Sequence, residues 1–425
     1  MSRRRIGVGG IAGRASMLLL MASAAAAFAG APPRTVTTQR AVVTAEAFKP
    51  DDLVMKAPAA AKALSPTIVS AKFENLPALK AFAELAKLSG YTIEPYGGGG
   101  NPTKYANVTA TITNQPFWAA MREVCTRGNV SLYYYGDDEP GKILLMPSNY
   151  GQQHMMKAAT SIQGPYMSVV TNIDRVNTVN MGIPSETDRK VDLQIHTFAE
   201  PKARPIQYSY QPTIDEAVDD NGNSMVPEAK DRNERTAMQS GMQSNRGLSW
   251  YCYVQLPYPK SNPGKRIARV RGHIDAKVQL QSEPWEIADP LKAPETSKTI
   301  GGKKYTFKSF KKAQGGGTEP QYNAEFVIYR GADEDPQTFQ QNAFNMEPVL
   351  KLTDASNGSY QFWANGGTGG TDSVTRQVTF SRRGGGGRRS GGESADAQPN
   401  KLVVELPTAT ADVPIPFELV DMPLP

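Results

Sequence analysis

Glu283-Pro284-Trp285-Glu286-Ile287-Ala288-Asp289-Pro290-Leu291 returns near the end of the chain as Ile415-Pro416-Phe417-Glu418-Leu419-Val420-Asp421, followed by Pro423-Leu424. The offset is 132 residues through the Asp. Upstream, Asp192-Leu193-Gln194-Ile195-His196 aligns with Glu325-Phe326-Val327-Ile328-Tyr329 at an offset of 133. Each is followed by an acidic residue and proline, Glu200-Pro201 and Asp335-Pro336. Between these markers lies a turn signal in each copy, Asp219-Asp220-Asn221-Gly222 and Asp354-Ala355-Ser356-Asn357-Gly358. Asn-Gly between strand-like runs is a strong hairpin signal. Three matches in one order at a nearly constant offset mean an internal duplication, with copies over 163–291 and 299–425.

The pattern inside each copy is β. Trp250, Cys252, Val254 and Leu256 share one face of a strand, and Tyr251, Tyr253 and Gln255 share the other. Gly and Pro together make about one residue in six, above the usual one in eight, as frequent turns between short strands require. Two related all-β, sandwich-like domains are expected. Trp285 and Phe417 stand at equivalent positions and read as a repeated core anchor.

The chain opens MSRRRIGVGGIAGRASMLLLMASAAAAFAGAPP. Arginines 3, 4, 5 and 14 precede an apolar stretch from Met17 to Ala27, and Ala27-Phe28-Ala29 is a small-x-small cleavage site. These are the parts of a secretory signal peptide over 1–29. The apolar run is short of the ~20 residues that cross a bilayer. The expected location is periplasmic or extracellular, with no membrane span after cleavage. Those four arginines belong to the formal +6, so the cleaved chain carries +2. That balance leaves no nucleic-acid footprint. Residues 30–65, rich in Ala, Pro, Thr and Lys, read as a flexible linker with one short helix.

Residues 66–147 carry a second, shorter duplication. A strand over 67–73 is expected, then a helix with Asn75 as N-cap and Pro77 in its first turn, ended by Gly90. Leu79, Phe82, Ala83 and Ala86 recur at helical spacing. Asn114-Gln115-Pro116 restates Asn75-Leu76-Pro77 39 residues later, and Gly128 is expected to end the second helix. The expected order is βαβ–βαβ plus a final strand, with two helices on one face of a small sheet. FENLPALKAFAELAKLSGYTI, VTATITNQPFWAAMREVC and VSLYYYGDDEPGKILLMPS together resemble the short N-terminal domain of bacterial secretins and TonB-dependent receptors. The likeness covers about 80 residues and rests on apolar positions. It implies a periplasmic docking module for a protein partner, with no catalytic residues to carry over. Those families continue into a membrane barrel or a ring-forming gate, and this sequence lacks the long run of amphipathic strands that either needs. The closing VPIPFELVDMPLP resembles the ends of uncharacterised secreted bacterial proteins, which brings no activity.

Site chemistry is sparse. His154, His196 and His273 stand far apart, with no His-x-x-x-His or Cys-x-x-Cys spacing, so no metal or cofactor is expected. Asp219, Asn221 and Asn223 begin like a calcium loop, but Ser224 replaces its glycine and Lys230 its glutamate. No Gly-x-Ser-x-Gly elbow occurs. The acidic pairs Asp137/Asp138 and Asp333/Asp335 sit in turn-like segments. Cys125 and Cys252 read as two buried thiols, with a disulfide as the alternative in an oxidising compartment. Glycine runs 97–100, 315–317 and 384–387 lack the Lys-Ser/Thr of a phosphate loop. Arg382, Arg383, Arg388 and Arg389 flank one of these runs and could contact an acidic envelope polymer. The first functional expectation is a non-enzymatic cell-envelope protein whose residues 66–147 dock a protein partner. The second is a glycan-binding protein in which Tyr251, Tyr253 and Trp363 stack on a polysaccharide as coplanar, exposed rings.

Overall fold

The computed structural model describes residues 58–96, 105–133, 141–148, 158–179, 187–227, 242–244, 247–313, 320–332, 349–356, 358–382 and 398–425, with a few single positions between them. The signal segment, most of the linker and the arginines 383, 388 and 389 lie outside the described residues.

The linker's end is packed. Helix α1 (Pro58–Leu64) buries Ala60, Ala63 and Leu64. There follow β1 (Ile68–Pro77), α2 (Ala78–Ser89), β2 (Thr92–Pro95), β3 (Asn107–Pro116), α3 (Phe117–Gly128), β4 (Val130–Tyr133) and β5 (Lys142–Pro147). The single small sheet of the sequence reading is corrected to two. β1 and β3 pair antiparallel, while β2, β5 and β4 form a separate sheet. The helices pack on each other and touch strands of both sheets.

The reason lies in the 39-residue repeat. β1 and β3 are equivalent strands and pair with each other about a local two-fold. Asn75 sits at φ 50° in β1 and Asn114 at φ 48° in β3, each where the register slips by one residue. The Asn75 N–H donates to Thr109 Oγ1 at 3.0 Å, and the Asn114 N–H donates to Ser70 Oγ at 2.9 Å. Both asparagines are therefore bulge residues, which corrects the N-cap expectation. Asparagine is among the few non-glycine residues that tolerate positive φ. The helices instead start after Pro77 and Pro116. Gly128 does not end α3 in a left-handed turn. Asn129 does, at φ 54°, 39 residues after Gly90 at φ 75°. Gly128 is needed for another reason: a Cβ there would lie 2.8 Å from the Ala78 Cβ.

The rest of the described chain is β, in several sheets. β6 (Thr160–Gln163), β7 (Tyr166–Val179), β8 (Thr187–Ala199) and β12 (Ser249–Pro257) form an antiparallel sheet in the order β12-β8-β7-β6. β9 (Pro205–Ser209), β10 (Thr213–Asp219), β11 (Met242–Ser244) and β13 (Arg266–Ala288) belong to an eleven-stranded sheet. That sheet continues through β20 (Pro399–Pro423), β17 (Val349–Asp354), β18 (Ser359–Gly369), β19 (Ser373–Arg382), β16 (Gln321–Tyr329), β15 (Lys303–Lys312) and β14 (Thr296–Ile300). It curls on itself. Lys298 of β14 pairs with Glu283 of β13 and donates to the Pro284 carbonyl.

Duplication shows in both turns. Asp219 Oδ1 accepts from the N–H groups of Asn221 and Asn223. Asp354 Oδ1 accepts from those of Ser356 and Gly358. Burial pushes the Asp219 carboxyl up, but hydrogen bonds from the Asn223 side chain and the Gly264, Asn223 and Asn221 N–H groups outweigh it, and the carboxyl sits below its usual range. Its oxygens are occupied by protein donors, as a closed turn requires and a calcium loop does not.

The two copies do not keep to themselves. β13 has 23 residues and β20 has 25, several times a usual strand, so neither fits within one core. They pair antiparallel from Arg266↔Pro423 to Ala288↔Lys401. The pairing is symmetric under the 132-residue repeat. Arg269 faces Val420, and their counterparts Lys401 and Ala288 face each other. The buried alternation changes phase in both strands where the register slips near Gln279–Ser282 and Pro407–Ala409. Ile267, Val270, Ile274, Ala276 and Val278 enter the first core with Val413, Ile415, Phe417, Leu419 and Met422 from the chain's end. Trp285 and Ile287 enter the second core with Leu402, Val404 and Leu406. Each copy thus gives its last strand segment to the other copy's core, and the cores cross the 291/299 boundary read from the sequence. The anchors Trp285 and Phe417 are both buried, each among the other copy's strands. Gly272 makes room for β10, since a Cβ there would meet the Thr213 carbonyl oxygen at 2.1 Å.

Candidate functional site

Residues 66–147 are joined to the four-stranded β12-β8-β7-β6 sheet by a shared core. Phe82, Phe117, Trp118 and Met121 pack in one cluster with Ile162, Met167, Val169, Phe198 and Leu248. Trp118 Nε1 donates to the Pro165 carbonyl at 3.0 Å, and its ring lies 5.8 Å from that of Phe198.

Beside this core sits a fully buried carboxylate. Glu200 follows β8 and has no solvent exposure. Its two oxygens accept from the Thr67 N–H at 3.1 Å each. Tyr91 OH donates to Oε2 at 2.7 Å and also meets Thr67 Oγ1 at 2.7 Å. Lys202 Nζ, on the 3-10 turn Pro201–Ala203, stands 3.5 Å from Oε2. Burial, then the Glu200 charge, pushes the Tyr91 hydroxyl far above its usual range, so it stays a donor. The carboxylate ties the start of β1 and the loop after α2 to the end of β8. The sequence marked Glu200-Pro201 only as a repeat boundary. Nothing local signals that a strand 133 residues upstream supplies its partner.

Among the described residues, six large hydrophobic side chains are exposed, and Ile68, Leu88 and Tyr96 fall within 66–147. Among the described residues β1 has β3 as its one strand neighbour, and β2 has β5. That segment therefore offers both apolar side chains and open strand edges, the two means by which a peptide strand is captured.

The aromatic residues singled out in the sequence separate. Trp250, Cys252, Val254 and Leu256 point into the first core, as the alternation requires. Tyr251 is 44% exposed and Tyr253 is half-buried. Their rings stand 5.6 Å apart at 85°, and Tyr210 packs on both. Tyr253 OH accepts from Gln194 Nε2 at 2.9 Å. Burial, then Tyr253 and Tyr251, pushes the Tyr210 hydroxyl up to about 12. The coplanar platform is thus corrected: edge-to-face contact is the favourable packing for neighbouring rings on a strand. Trp363 lies in β18, paired with Thr379, in a different sheet. Arg382 ends β19 opposite Tyr360.

The remaining candidates are buried or lie beside charged neighbours. Cys125 and Cys252 are both buried and free, in different cores. Burial pushes both thiols well above their usual range. His196 is buried against Phe198, ring centroids 4.8 Å apart, and burial pulls it down to about 3. His273 lies between Asp215 and Asp275 on a half-buried surface. Among the described residues no group of three His, Cys, Asp or Glu side chains could hold a metal ion. No helix among them is long and apolar enough to cross a membrane.

No family model matches the chain. No curated protein matches it either. Among solved structures, the crystal structure of the conserved domain protein from Bacillus anthracis is similar at 11% identity, covering 60% of this chain and 89% of that one. The TM-score of 0.16 is too low to carry a fold or a function.

Proposed function

We propose that this chain is an exported, non-enzymatic scaffold of the cell envelope that presents residues 66–147 as a docking module for a protein partner. The observation that carries the reading is mechanical. The docking segment shares a hydrophobic core with the first sandwich and is pinned to it by Glu200. The first sandwich is completed by strands of the second copy, and the second by strands of the first. Such a body transmits position and load, because no part can swing without breaking a core. The βαβ–βαβ–β order resembles the short N-terminal domain of secretins and TonB-dependent receptors, whose role is docking. Export rests on the signal-like segment at 1–29.

The glycan-binding alternative keeps one support, the exposed ring of Tyr251, because its neighbours are turned on edge.

The docking reading is tested with the whole chain, since deleting 66–147 would bare Phe198 and Met167. Ile68→Asp plus Leu88→Asp changes two exposed side chains and leaves the core intact. The expected result is loss of a partner, cross-linked by the wild type in an envelope extract, from the double variant at an unchanged melting temperature. Equal cross-linking by both would overturn the assignment of docking to this face.

A further inference from the structure

A cavity of about 610 Å³ opens where α1, the 3-10 turn after Glu200 and the crossing of β13 with β20 meet. Among the described residues its lining brings together Lys62, Lys202, Arg204, Gln279, Gln281 and one carboxylate, Glu405. Lys202 is already ion-paired with Glu200, so Lys62 and Arg204 are left against Glu405, an unbalanced pair of cations in a partly enclosed cleft.

Arg204 makes the imbalance costly. It is 7% exposed. Its guanidinium donates from one Nη to Gln279 Oε1 at 2.8 Å, and no carboxylate among the described residues is in ion-pair contact with it. A guanidinium has five donors in a planar fork and keeps its charge in any protein environment. Burial disfavours that charge here, and only the more distant Glu405 opposes the effect. A buried charge without a contacting counter-charge is destabilising. Lys62 is exposed and is likewise without an ion-pair partner among the described residues. Lys202 lies between this cavity and Glu200.

We propose that the cleft binds a hydroxylated anion, a sugar carrying a carboxylate or a phosphate. The Arg204 fork matches the two oxygens of either group. Lys62 supplies further charge at the mouth, and Lys202, shared with Glu200, supplies a further N–H donor. Gln279, Gln281 and Glu405 supply the mixed donors and acceptors that sugar hydroxyls need. The volume falls within the range of small-molecule sites, roughly 300–1,000 Å³. This site is separate from the docking face and stands whether or not that face binds a protein.

Isothermal titration of the purified chain with digalacturonate, glucose 6-phosphate, inorganic phosphate and a neutral disaccharide tests the proposal. The expected result is binding of an acidic sugar that weakens as salt rises, with no heat from the neutral sugar. Lys62→Gln plus Lys202→Gln changes side chains near the surface and should weaken binding at least about tenfold, the equivalent of one charge-assisted contact. Arg204→Gln should abolish it, and the lysine pair keeps the test decisive if that variant misfolds. The site is overturned if no acidic sugar binds, if the neutral sugar binds equally, or if the folded lysine variant binds like wild type. Inorganic phosphate binding as tightly as glucose 6-phosphate would overturn the hydroxylated class of ligand.

Discussion

Glu200→Ala removes the carboxylate that joins the start of β1 to the end of β8. Two donors then lose their acceptor, the Thr67 N–H and the Tyr91 hydroxyl. A hydrogen bond to a charged group contributes about 1.5–3 kcal/mol. Two such bonds give about 3–6 kcal/mol before compensation. The variant also relieves the desolvation of a fully buried carboxylate, which returns a few kcal/mol. Lys202 adds little, since its side chain is about a quarter exposed and can turn to water. The net expectation is about 2–3 kcal/mol, lost locally at the junction. That equals a roughly 30- to 150-fold fall in amide protection. The assay is hydrogen exchange read by mass spectrometry, comparing peptides that span Thr67 and Tyr91 with peptides from β16 and β19. Protection should fall in the first set and stay in the second. Glu200→Gln keeps one acceptor oxygen and should lose less. Unchanged protection around Thr67 in Glu200→Ala would refute the reasoning that this carboxylate holds the junction.

Three further outcomes follow from buried groups. His196 is neutral in the folded chain down to about pH 3, while its unfolded value is near 6.5. The unfolded state therefore takes up a proton first. The contribution to stability is complete above about pH 6.5 and is lost as pH falls toward 3, by up to about 1.4 kcal/mol per pH unit. His196→Gln should flatten the urea-midpoint profile across that window, and an unchanged slope would contradict the assignment. Gly272→Ala should cost about 1–3 kcal/mol by forcing β10 from β13, and a wild-type melting temperature would show that the contact with Thr213 yields freely. Cys125 and Cys252 should both resist a thiol reagent in the folded chain and both react in denaturant, whereas a missing thiol would mean a disulfide.

The sequence disclosed both duplications because repeats survive as residue patterns. Alternation placed Trp250, Cys252, Val254 and Leu256 inside and Tyr251 and Tyr253 outside, which the burial supports. What it could not disclose is destination. Trp285 and Phe417 read as equivalent anchors, yet equivalence says nothing about which core each one fills. Only the pairing of β13 with β20 reveals the exchange. Asn75 and Asn114 misled because Asn two residues before Pro suits a helix start as well as a bulge. The bulge wins because an equivalent strand lies alongside to supply Thr109 and Ser70. Gly128 does end α3, but the left-handed turn falls on Asn129 and the missing Cβ of Gly128 serves to admit Ala78, which a glycine at a helix end does not signal. Glu200 and Arg204 stayed hidden because their importance comes from burial and from partners far along the chain.

The scaffold reading depends on the reciprocal exchange of final strands. The most direct measurement is hydrogen exchange on a chain shortened after Thr408, which lacks β20 beyond its register slip. The removed segment carries Val413, Ile415, Phe417, Leu419 and Met422 of the first core. The expected result is loss of protection in β8 and β12, which belong to the first copy, with β16 and β19 of the second copy still protected. Loss confined to β16 and β19 would mean that the second copy keeps its own last strand, and the exchanged scaffold would be contradicted.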